Sequence, residues 1–369
     1  MDLFGDLHTH TAHSREADNF LEERLKSYAQ AKKEFPNLEV VGILDHDTLN
    51  YLEPMYRTRR LFEPSSLPLI LPGIEISSAF EHPTKKGKFV QTHLIGYFPK
   101  LIQEDNETII KVNSVLESPL NKSIEGKLKK NVDLRLAYFF KNGIIPESQD
   151  FEELKKRIIE KYRADKQYVE SKEPKENDII NWTLNSSDKM VLEVLVEEGI
   201  IGSMEEGKLY VDRVSEDKAN KLANIFKERS NKPYEESMEL AKRLQGSCHG
   251  DYNDDFYKLT TQDSIRLVRE AGGIAILAHP MVSLKKFKGE SEDFFSYCAS
   301  NLVPIGLQGM EAFYPNQEKL TPQILEFCKS KGLYVTGGSD DHQDGRNNIG
   351  EEGSRCPINY IKEMLKKED

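Results

Sequence analysis

The sequence predicts an α/β fold interrupted by a mainly helical insertion, and three observations support this. Over residues 1–100, short apolar runs alternate with stretches of helical spacing, which is typical of a parallel α/β fold. Residues 101–258 are instead polar, densely charged and largely helical in spacing. From residue 259 the alternation returns. We therefore predict a discontinuous domain, 1–100 with 259–369, around an inserted subdomain, 101–258.

The first α/β region contains a predicted helix between predicted strands. Residues 22–33 have the spacing of an amphipathic helix, and residues 40–44 and 69–74 are apolar runs bounded by polar residues. These two runs are expected to be buried strands. Because a helix separates successive strands, a parallel arrangement is favoured.

The insertion is predicted from its charge and its spacing. Residues 121–131 are polar and lysine-rich, and residues 151–176 carry apolar side chains at helical spacing. Residues 190–197 are predicted to form a helix. Glu206-Gly207 indicates a hairpin turn before the apolar run 209–211.

The second α/β region repeats the pattern of the first. Residues 264–271 are predicted to form a helix that ends at Gly272-Gly273. Residues 274–278 form an apolar run typical of a buried strand, and residues 309–313 and 333–336 are further strand candidates.

Composition excludes several classes of protein. Of the 369 residues, 38% are hydrophobic and 31% charged, which is typical of a globular protein. No apolar run reaches the roughly 18 residues of a membrane span, and residues 1–6 lack the features of a signal peptide, so we expect a cytoplasmic protein without a membrane partner. The four cysteines form no C-x-x-C pair, so neither a thiolate zinc site nor a disulfide framework is indicated.

The net charge of −11 disfavours tight, non-specific binding of nucleic acid. It does not exclude a phosphorylated small molecule or a short oligonucleotide as substrate, because bound divalent cations would reverse the field locally.

Two pairs of polar residues at opposite ends of the chain suggest a metal site. His8 and His10 follow one short apolar run, and Asp340 and His342 follow another. In a strand, residues i and i+2 point to the same face, so each pair can present two ligands together. Imidazole and carboxylate groups suit zinc, manganese or iron.

Further candidate ligands lie next to predicted strands. His46, His93, Glu75 and His279 each adjoin an apolar run. A single histidine in such a place is most often structural. In closed parallel barrels, however, functional residues gather at the carboxyl ends of strands, and six histidines with two carboxylates favour a metal centre.

All of these candidate ligands except His93 lie in five ordered motifs that resemble those of the polymerase and histidinol phosphatase (PHP) family. The motifs are Asp6-Leu7-His8-Thr9-His10, Leu44-Asp45-His46-Asp47-Thr48-Leu49, Pro72-Gly73-Ile74-Glu75-Ile76-Ser77, Ala278-His279-Pro280 and Gly338-Ser339-Asp340-Asp341-His342. The resemblance covers both α/β regions and implies a distorted (β/α)7 barrel that holds two or three divalent ions. The position of the insertion is similar to that in a branch of small phosphoesterases acting on nucleotides and oligoribonucleotides.

The resemblance also implies a ligand set for each metal. The first set is His8, His10, Glu75 and Asp340; the second is Glu75, His93 and His279; the third is His46, His342 and one residue of the loop after His10. Relatives often carry an aspartate in that loop, where this chain has Arg15. We expect Asp18 to substitute, with Glu16 or His13 as alternatives, or the third site to be weak or empty. Arg15 would then be free to contact a substrate phosphate.

Neighbouring polar residues are expected to play lesser roles. Asp45, Asp47 and Asp341 flank ligands and are interpreted as supporting partners or helix caps. His82 is expected in an exposed turn, and His13 and His249 in loops. Lys85, Lys86 and Lys88 form a basic cluster that is either solvated or in contact with a substrate phosphate.

The hypothesis from sequence is phosphoester hydrolysis by a hydroxide that bridges the metals. The sequence contains no P-loop and no G-x-G-x-x-G motif, so no nucleotide or dinucleotide cofactor is indicated. One alternative is a 5′–3′ exonuclease on short RNA or DNA. Another is a metal-stabilised binding or regulatory module without turnover. The insertion is expected to cap the metal face and set the choice of substrate.

Overall fold

A computed structural model describes residues 2–11, 21–141, 145, 148–171, 194, 259–342 and 348–366. The chain divides into two compact units: Met1–Ser123 with Tyr257–Asp369, and Ile124–Phe256. The predicted hairpin at Glu206-Gly207 and, apart from Val194, the predicted helix 190–197 lie outside the described residues.

The first unit contains a sheet that, over the described residues, has eight strands in the order β7-β6-β5-β4-β3-β2-β1-β8. The strands are β1 Phe4–Thr9, β2 Leu38–Ile43, β3 Leu69–Glu81, β4 Phe89–Tyr97, β5 Ile274–Leu277, β6 Gly309–Phe313, β7 Tyr334–Gly337 and β8 Cys356–Pro357. Just beyond β7, the Asp340 amide donates to the His8 carbonyl (2.8 Å) and the His10 amide donates to the Asp341 carbonyl (3.1 Å). The last parallel strand therefore meets the first, and the sheet forms a nearly closed barrel.

Helices follow most of the parallel strands. The helices are α1 Leu21–Glu34, α2 Leu52–Arg59, α3 Asn106–Lys141, α4 Phe151–Ser171, α5 Thr261–Glu270, α6 Pro280–Phe287, α7 Ser291–Tyr297, α8 Thr321–Lys331 and α9 Ile358–Lys366. The helices predicted at 22–33, 264–271 and 151–176 correspond to α1, α5 and α4. The boundary between the two compact units falls within α3.

The predicted parallel arrangement holds for most of the strands but not for β4 and β8. Strands β1, β2 and β3 are parallel, as are β5, β6 and β7, but β4 runs antiparallel to both of its neighbours and β8 runs antiparallel to β1. The cause is the short connection 82–88, which allows a hairpin, whereas parallel neighbours need a long crossover. The α/β class and the barrel are confirmed, with eight strands in the described residues where the resemblance implied seven.

Apolar residues of the strands pack on both faces of the sheet. One cluster joins strand residues such as Val41, Ile70 and Ala275 to the surrounding helices. A second cluster contains strand residues such as Val40 and Ile276 and the α9 residues Ile361 and Met364. Helix α9 therefore covers the end of the barrel at which β1 begins, and the opposite end stays available for polar side chains. Among the described residues, no helix combines the length and apolarity that a membrane span requires.

Candidate metal centre

The candidate centre lies where strand ends converge at the carboxyl edge of the parallel strands. His8 and His10 come from the end of β1, and Asp340 and His342 follow β7. Strand β3 continues past the end of β2, so Glu75 pairs with the segment after β2: its amide donates to the Asp45 carbonyl at 3.2 Å. Polar residues from distant parts of the chain therefore lie together at the carboxyl edge of the parallel strands.

Glu75 is fully buried at the middle of this cluster. Its Oε1 lies 2.7 Å from Nδ1 of His93 and 3.0 Å from Nε2 of His279. Sequence reasoning placed His93 just before a strand, whereas it lies within β4. His93 is the middle residue of β4, and because its neighbour Leu94 pairs with Leu277 at the end of β5, His93 lies at the edge at which the parallel strands end.

The second oxygen of Glu75 faces three other histidines. Its Oε2 lies 3.0 Å from Nδ1 of His46, 3.3 Å from Nε2 of His8 and 3.4 Å from Nε2 of His10. One carboxylate therefore contacts five imidazole rings, counting those at Oε1, which is the arrangement expected of a ligand shared between cations.

Asp340 supplies the second carboxylate of the cluster. Its Oδ1 lies 3.0 Å from Nε2 of His10, 3.5 Å from Nε2 of His8 and 3.6 Å from Nδ1 of His342. The hydroxyl of Tyr314, the residue directly after β6, donates to its Oδ2 at 3.1 Å. The bond to Tyr314 fixes which oxygen of Asp340 faces the histidines.

Within the part of the chain that the structure describes, three groups of side chains present ligand atoms that lie within 4.8 Å of one another. The groups are His8, His10, Glu75 and Asp340; His46, Glu75 and His93; and His10, His46 and His342. The first coincides with the first predicted ligand set. His279, which was predicted for the second set, contacts the other oxygen of Glu75, Oε1.

The donor atoms of the first group suit a divalent cation. A tetrahedral ion with bonds of about 2.1 Å separates its ligands by about 3.4 Å. The four separations between the two histidines and the two carboxylates run from 3.0 to 3.5 Å. In addition, Nε2 of His8 and Oε2 of Glu75 are buried without a hydrogen bond. Buried polar atoms normally have partners, so these two fit ligands to a cation.

The charges of the cluster agree with this interpretation. Burial alone would raise the pKa of Glu75, but His46, His93 and His8 hold that pKa well below its ordinary value. Burial acts against Asp340 in the same way, yet His8 and His342 hold its pKa well below the usual range. Both carboxylates are therefore ionised in the folded protein.

The histidines differ among themselves. Burial lowers the pKa of His10, and the neighbouring His342 and His46 lower it further. The neutral ring is therefore favoured, and its nitrogen lone pair can bind a metal ion. For His8, burial also acts to lower the pKa, but the carboxylates of Glu311, Glu75 and Asp340 together raise it well above the ordinary value.

Glu311 is a supporting residue that sequence reasoning missed. Its Oε1 lies 3.1 Å from Nδ1 of His8, and its Oε2 accepts a hydrogen bond from the His279 amide at 2.7 Å. A carboxylate on the far nitrogen of a histidine orients the ring and raises its basicity as a ligand. A buried glutamate inside the apolar run 309–313 was the available signal.

A buried ion pair supports the end of β1 from behind. Arg24 of α1 is fully buried and donates to Oδ2 of Asp341 (2.7 Å) and to its carbonyl (2.8 Å). The same carbonyl accepts from the His10 amide. The prediction that Asp341 is a supporting partner agrees with these contacts.

Two further aspartates brace the loops of the centre. Asp45 accepts from the amide of Thr11 at 2.6 Å and from its hydroxyl at 2.5 Å, and burial raises the pKa of Asp45 to about 7. Asp6 accepts from the amides of Ser339 (2.9 Å) and Gly350 (2.8 Å), and burial raises its pKa to about 6.

The backbone is strained at two of the predicted ligands. His279 has φ of 23° and Asp340 has φ of 56°, which are uncommon for residues other than glycine. Such conformations persist where surrounding contacts hold them, and they cluster at functional sites. The bond from the His279 amide to Glu311 is one such contact.

The expectation of an exposed turn at His82 is wrong. His82 is 7% exposed, its Nε2 lies 2.9 Å from the Phe287 carbonyl, and its ring stacks on that of Phe287. The reason is that the hairpin between β3 and β4 packs against α6, which the sequence does not reveal. Arg15, Asp18, Glu16, His13 and His249 lie outside the described residues.

Comparisons with solved structures bear on the fold. The chain is similar to a candidate metal-dependent phosphoesterase from Bifidobacterium adolescentis, with a TM-score of 0.53 and 17% identity over 98% of this chain and 96% of that one. It is also similar to an amidohydrolase from Chromobacterium violaceum, solved with bound sulfate and no metal, with a TM-score of 0.50 and 15% identity over 99% and 96% of the two chains.

No protein-family model matches the sequence, and no curated protein matches it. At these identities the structural likeness establishes the fold alone. The chain therefore shares, over nearly its whole length, the fold of two proteins described as hydrolases, and membership of the PHP family stays a prediction.

Proposed function

We propose that this chain is a metal-dependent phosphoesterase that hydrolyses a phosphate ester of a nucleotide or a similar small molecule. The observation that carries the proposal is the buried Glu75, whose two oxygens contact five histidines beside the ionised Asp340. The description of the Bifidobacterium protein as a candidate metal-dependent phosphoesterase supports the same reaction class.

The proposed ligands are His8, His10, His46, Glu75, His93, His279, Asp340 and His342. Two or three manganese, zinc or iron ions bound there would activate water and neutralise charge on phosphoryl oxygens. We further propose Asp18 as a ligand from the loop after His10 and Arg15 as a contact to substrate phosphate, since a guanidinium pairs well with phosphate oxygens.

The chain's own residues prepare the site in two ways. Glu311 occupies Nδ1 of His8, so Nε2 of that ring points towards the carboxylates of Glu75 and Asp340. Exposure is graded across the cluster: the side chain of His8 is fully buried, whereas that of His93 is 20% exposed and that of Asp340 is 17% exposed. A substrate would therefore approach from the side of His93 and Asp340.

The test is a substrate screen combined with metal analysis. Wild-type protein and the variant with His8→Ala and His10→Ala would be assayed with nucleoside monophosphates, nucleotide bisphosphates and generic phosphodiesters in the presence of manganese, zinc or iron. We expect metal-dependent release of phosphate or nucleotide by the wild type and none by the variant. Full activity in the variant would overturn the proposal.

A matched control separates the centre from general effects of losing a buried histidine. His82→Gln removes a buried ring that lies outside the cluster, so it should leave metal content and turnover unchanged. Amide substrates belong in the same screen because the Chromobacterium protein is an amidohydrolase. Turnover of amides alone would replace the phosphoesterase assignment, and bound metal without any turnover would favour a binding module.

A further inference from the structure

Tyr314 contacts two of the proposed ligands without being a ligand itself. It is the residue directly after β6, and it is partly exposed. Its hydroxyl donates to Oδ2 of Asp340 at 3.1 Å, and its ring lies beside that of His279, with 5.2 Å between the ring centroids. Because Asp340 is among the more exposed of the proposed ligands, Tyr314 stands on the side from which a substrate would approach.

An irregularity in β6 lets two side chains of this strand reach the centre. Glu311 and Tyr314 are three residues apart, so in a regular strand they would point to opposite faces. The register between β6 and β7 shifts between Glu311 and Phe313, and bulges of this kind redirect side chains next to active sites. Both Glu311, which contacts His8, and Tyr314 thereby contact proposed ligands.

The turn that follows Tyr314 is fixed by Gln317, which is fully buried. Its side-chain amide donates to the carbonyls of Glu311 (2.9 Å) and Ala312 (3.2 Å). The same amide group accepts from the backbone amide of Met281 at 3.0 Å, and the backbone amide of Gln317 donates to the Tyr314 carbonyl at 3.1 Å. The turn is therefore tied both to β6 and to the first turn of α6, which holds the backbone of Tyr314 in place.

The carboxylate of Asp340 has different partners at its two oxygens. Its backbone amide donates to the His8 carbonyl at 2.8 Å, which fixes the main chain at this residue. Its Oδ1 makes the contacts with His8, His10 and His342. Its Oδ2 accepts the hydrogen bond from Tyr314. One oxygen therefore faces the histidines, and the phenol holds the other.

The number of oxygens that a carboxylate offers to a cation matters at a metal centre. Carboxylates ligate cations with one oxygen or with two. Metal sites that perform catalysis keep a position open for water or substrate, whereas structural sites are closed by protein ligands. A hydrogen bond that occupies Oδ2 of Asp340 prevents that atom from closing such a position.

We propose that Tyr314 is a positioning residue that limits Asp340 to one ligating oxygen and so keeps a place at the centre open to substrate. The inference rests on the proposed function and deepens it, because it names a side chain on which access of the substrate to the centre depends. Tyr314 acts through Asp340 and takes part in no bond-breaking step. Loss of its hydroxyl would free Oδ2 to bind the same cation, so turnover should fall while metal affinity does not.

The test compares the full-length variant Tyr314→Phe with wild type. The variant lacks one oxygen atom and keeps the ring beside His279. Competition with a chromophoric chelator measures the affinity for zinc and cobalt, which we expect to equal or exceed that of wild type. Azide, a small anion that enters open coordination positions, is then titrated into the cobalt-loaded protein and followed by visible absorption. We expect azide to bind the variant about tenfold more weakly or weaker still.

Turnover gives a second readout of the same effect. With the small phosphate ester that wild type hydrolyses best, kcat/KM of Tyr314→Phe should fall by about tenfold or more, since the substrate must compete with Oδ2 of Asp340 for one place. A role of Tyr314 in stability alone would lower metal affinity and turnover together.

Tyr297→Phe is the matched control, because it removes the hydroxyl of another partly exposed tyrosine. The Tyr297 hydroxyl accepts from Nε2 of Gln262 at 3.0 Å, and its ring stacks on that of Phe80. Neither of these partners is a proposed ligand. Metal affinity, azide affinity and turnover of this variant should match those of wild type, and thermal unfolding verifies that both variants fold.

Three results would overturn the inference. If Tyr314→Phe binds metal about tenfold more weakly than wild type, the hydroxyl supports the ligand rather than limits it. If azide binds wild type and Tyr314→Phe equally, or binds neither, Oδ2 of Asp340 does not close a place at the centre. An equal effect in Tyr297→Phe would assign the change to the loss of any buried hydroxyl. If wild type hydrolyses no phosphate ester with any metal, the proposed function fails, while the affinities for metal and azide still report on Tyr314.

Discussion

Glu75 belongs to two of the three ligand groups, whereas His342 belongs to one. The variant Glu75→Gln keeps the volume of the side chain but removes its charge and one acceptor, so we expect it to lose most bound metal. His342→Ala should lose less, because the group around Glu75 and Asp340 stays intact. Metal content per chain, measured after purification in the presence of manganese or zinc, checks this order. Equal loss in the two variants would argue against Glu75 as a shared ligand.

Substitution of Glu311 tests whether a residue that contacts a proposed ligand, without being a ligand itself, contributes to metal affinity. Glu311→Gln weakens its contact with Nδ1 of His8 and with the amide of the strained His279. We expect metal affinity to fall by about 10- to 100-fold, as for other carboxylates behind metal-ligating histidines. Competition with a chromophoric chelator measures that affinity. Glu311→Asp keeps the negative charge, so this variant should recover part of the metal affinity that Glu311→Gln loses. If the role of Glu311 were merely structural, keeping the charge would not be expected to recover that affinity.

The residues of the centre show what could be predicted from sequence and what could not. The motifs around His8, His46, Glu75, His279 and Asp340 were visible because polar residues follow apolar runs. Glu311 was harder to predict, because an acidic residue inside the run 309–313 does not show which residues its side chain contacts three hundred positions away. Contacts of that separation depend on which strands become neighbours, and local pattern carries little information about strand order.

At the scale of elements, the strands and helices of the α/β regions were predictable, whereas their directions were not fully so. Residues 309–313 form β6 as expected, α1 ends within one residue of its prediction at both ends, and α5 within three. The antiparallel β4 was missed, since residues 82–88 do not show whether a connection folds as a hairpin or leads to another element. The same hairpin buries His82, so the turn that was not predicted also explains the wrong expectation for that residue.

The junction of β7 with β1 depends on a glycine at a close approach. A Cβ on Gly338 would lie 2.3 Å from the backbone nitrogen and from the Cβ of His8, closer than any real Cβ contact. Gly338→Ala should therefore force the two strands apart and destabilise the fold by about 3 kcal/mol or more, at the upper end of overpacking costs. Denaturant unfolding and metal affinity should both show the loss.

Gly332→Ala is the matched comparison for that variant. A Cβ there meets nothing within 4 Å, and only the positive φ of 65° is unfavourable, so the expected cost is about 1–2 kcal/mol. Metal affinity should be unchanged in this variant. If Gly338→Ala and Gly332→Ala weaken metal binding to the same degree, the close approach to His8 does not explain the loss of metal affinity in Gly338→Ala.

At the scale of the whole molecule, the candidate metal centre lies at the place where the last parallel strand meets the first. The bonds that join the last parallel strand to the first involve His8, His10, Asp340 and Asp341, so the seam of the barrel consists of proposed ligands and their neighbours. Glu75 and Asp340 lie beside each other in a buried cluster, where neighbouring histidines hold the pKa of each carboxylate well below its usual range. A cation bound by both ends of the chain would compensate this charge and link the two strands.

Binding of divalent metal should consequently stabilise the fold itself. At a free concentration about 100 times Kd, one bound ion adds about 2.7 kcal/mol to the free energy of unfolding, and in a domain of this size that raises Tm by about 5–10 °C. Thermal unfolding of chelator-treated protein, with and without manganese or zinc, measures the shift. Glu75→Gln should show little of it, while His82→Gln, which leaves the centre intact, should show all of it. A rise of the same size in Glu75→Gln would mean that the ions stabilise the protein elsewhere, because only binding at the seam requires this carboxylate.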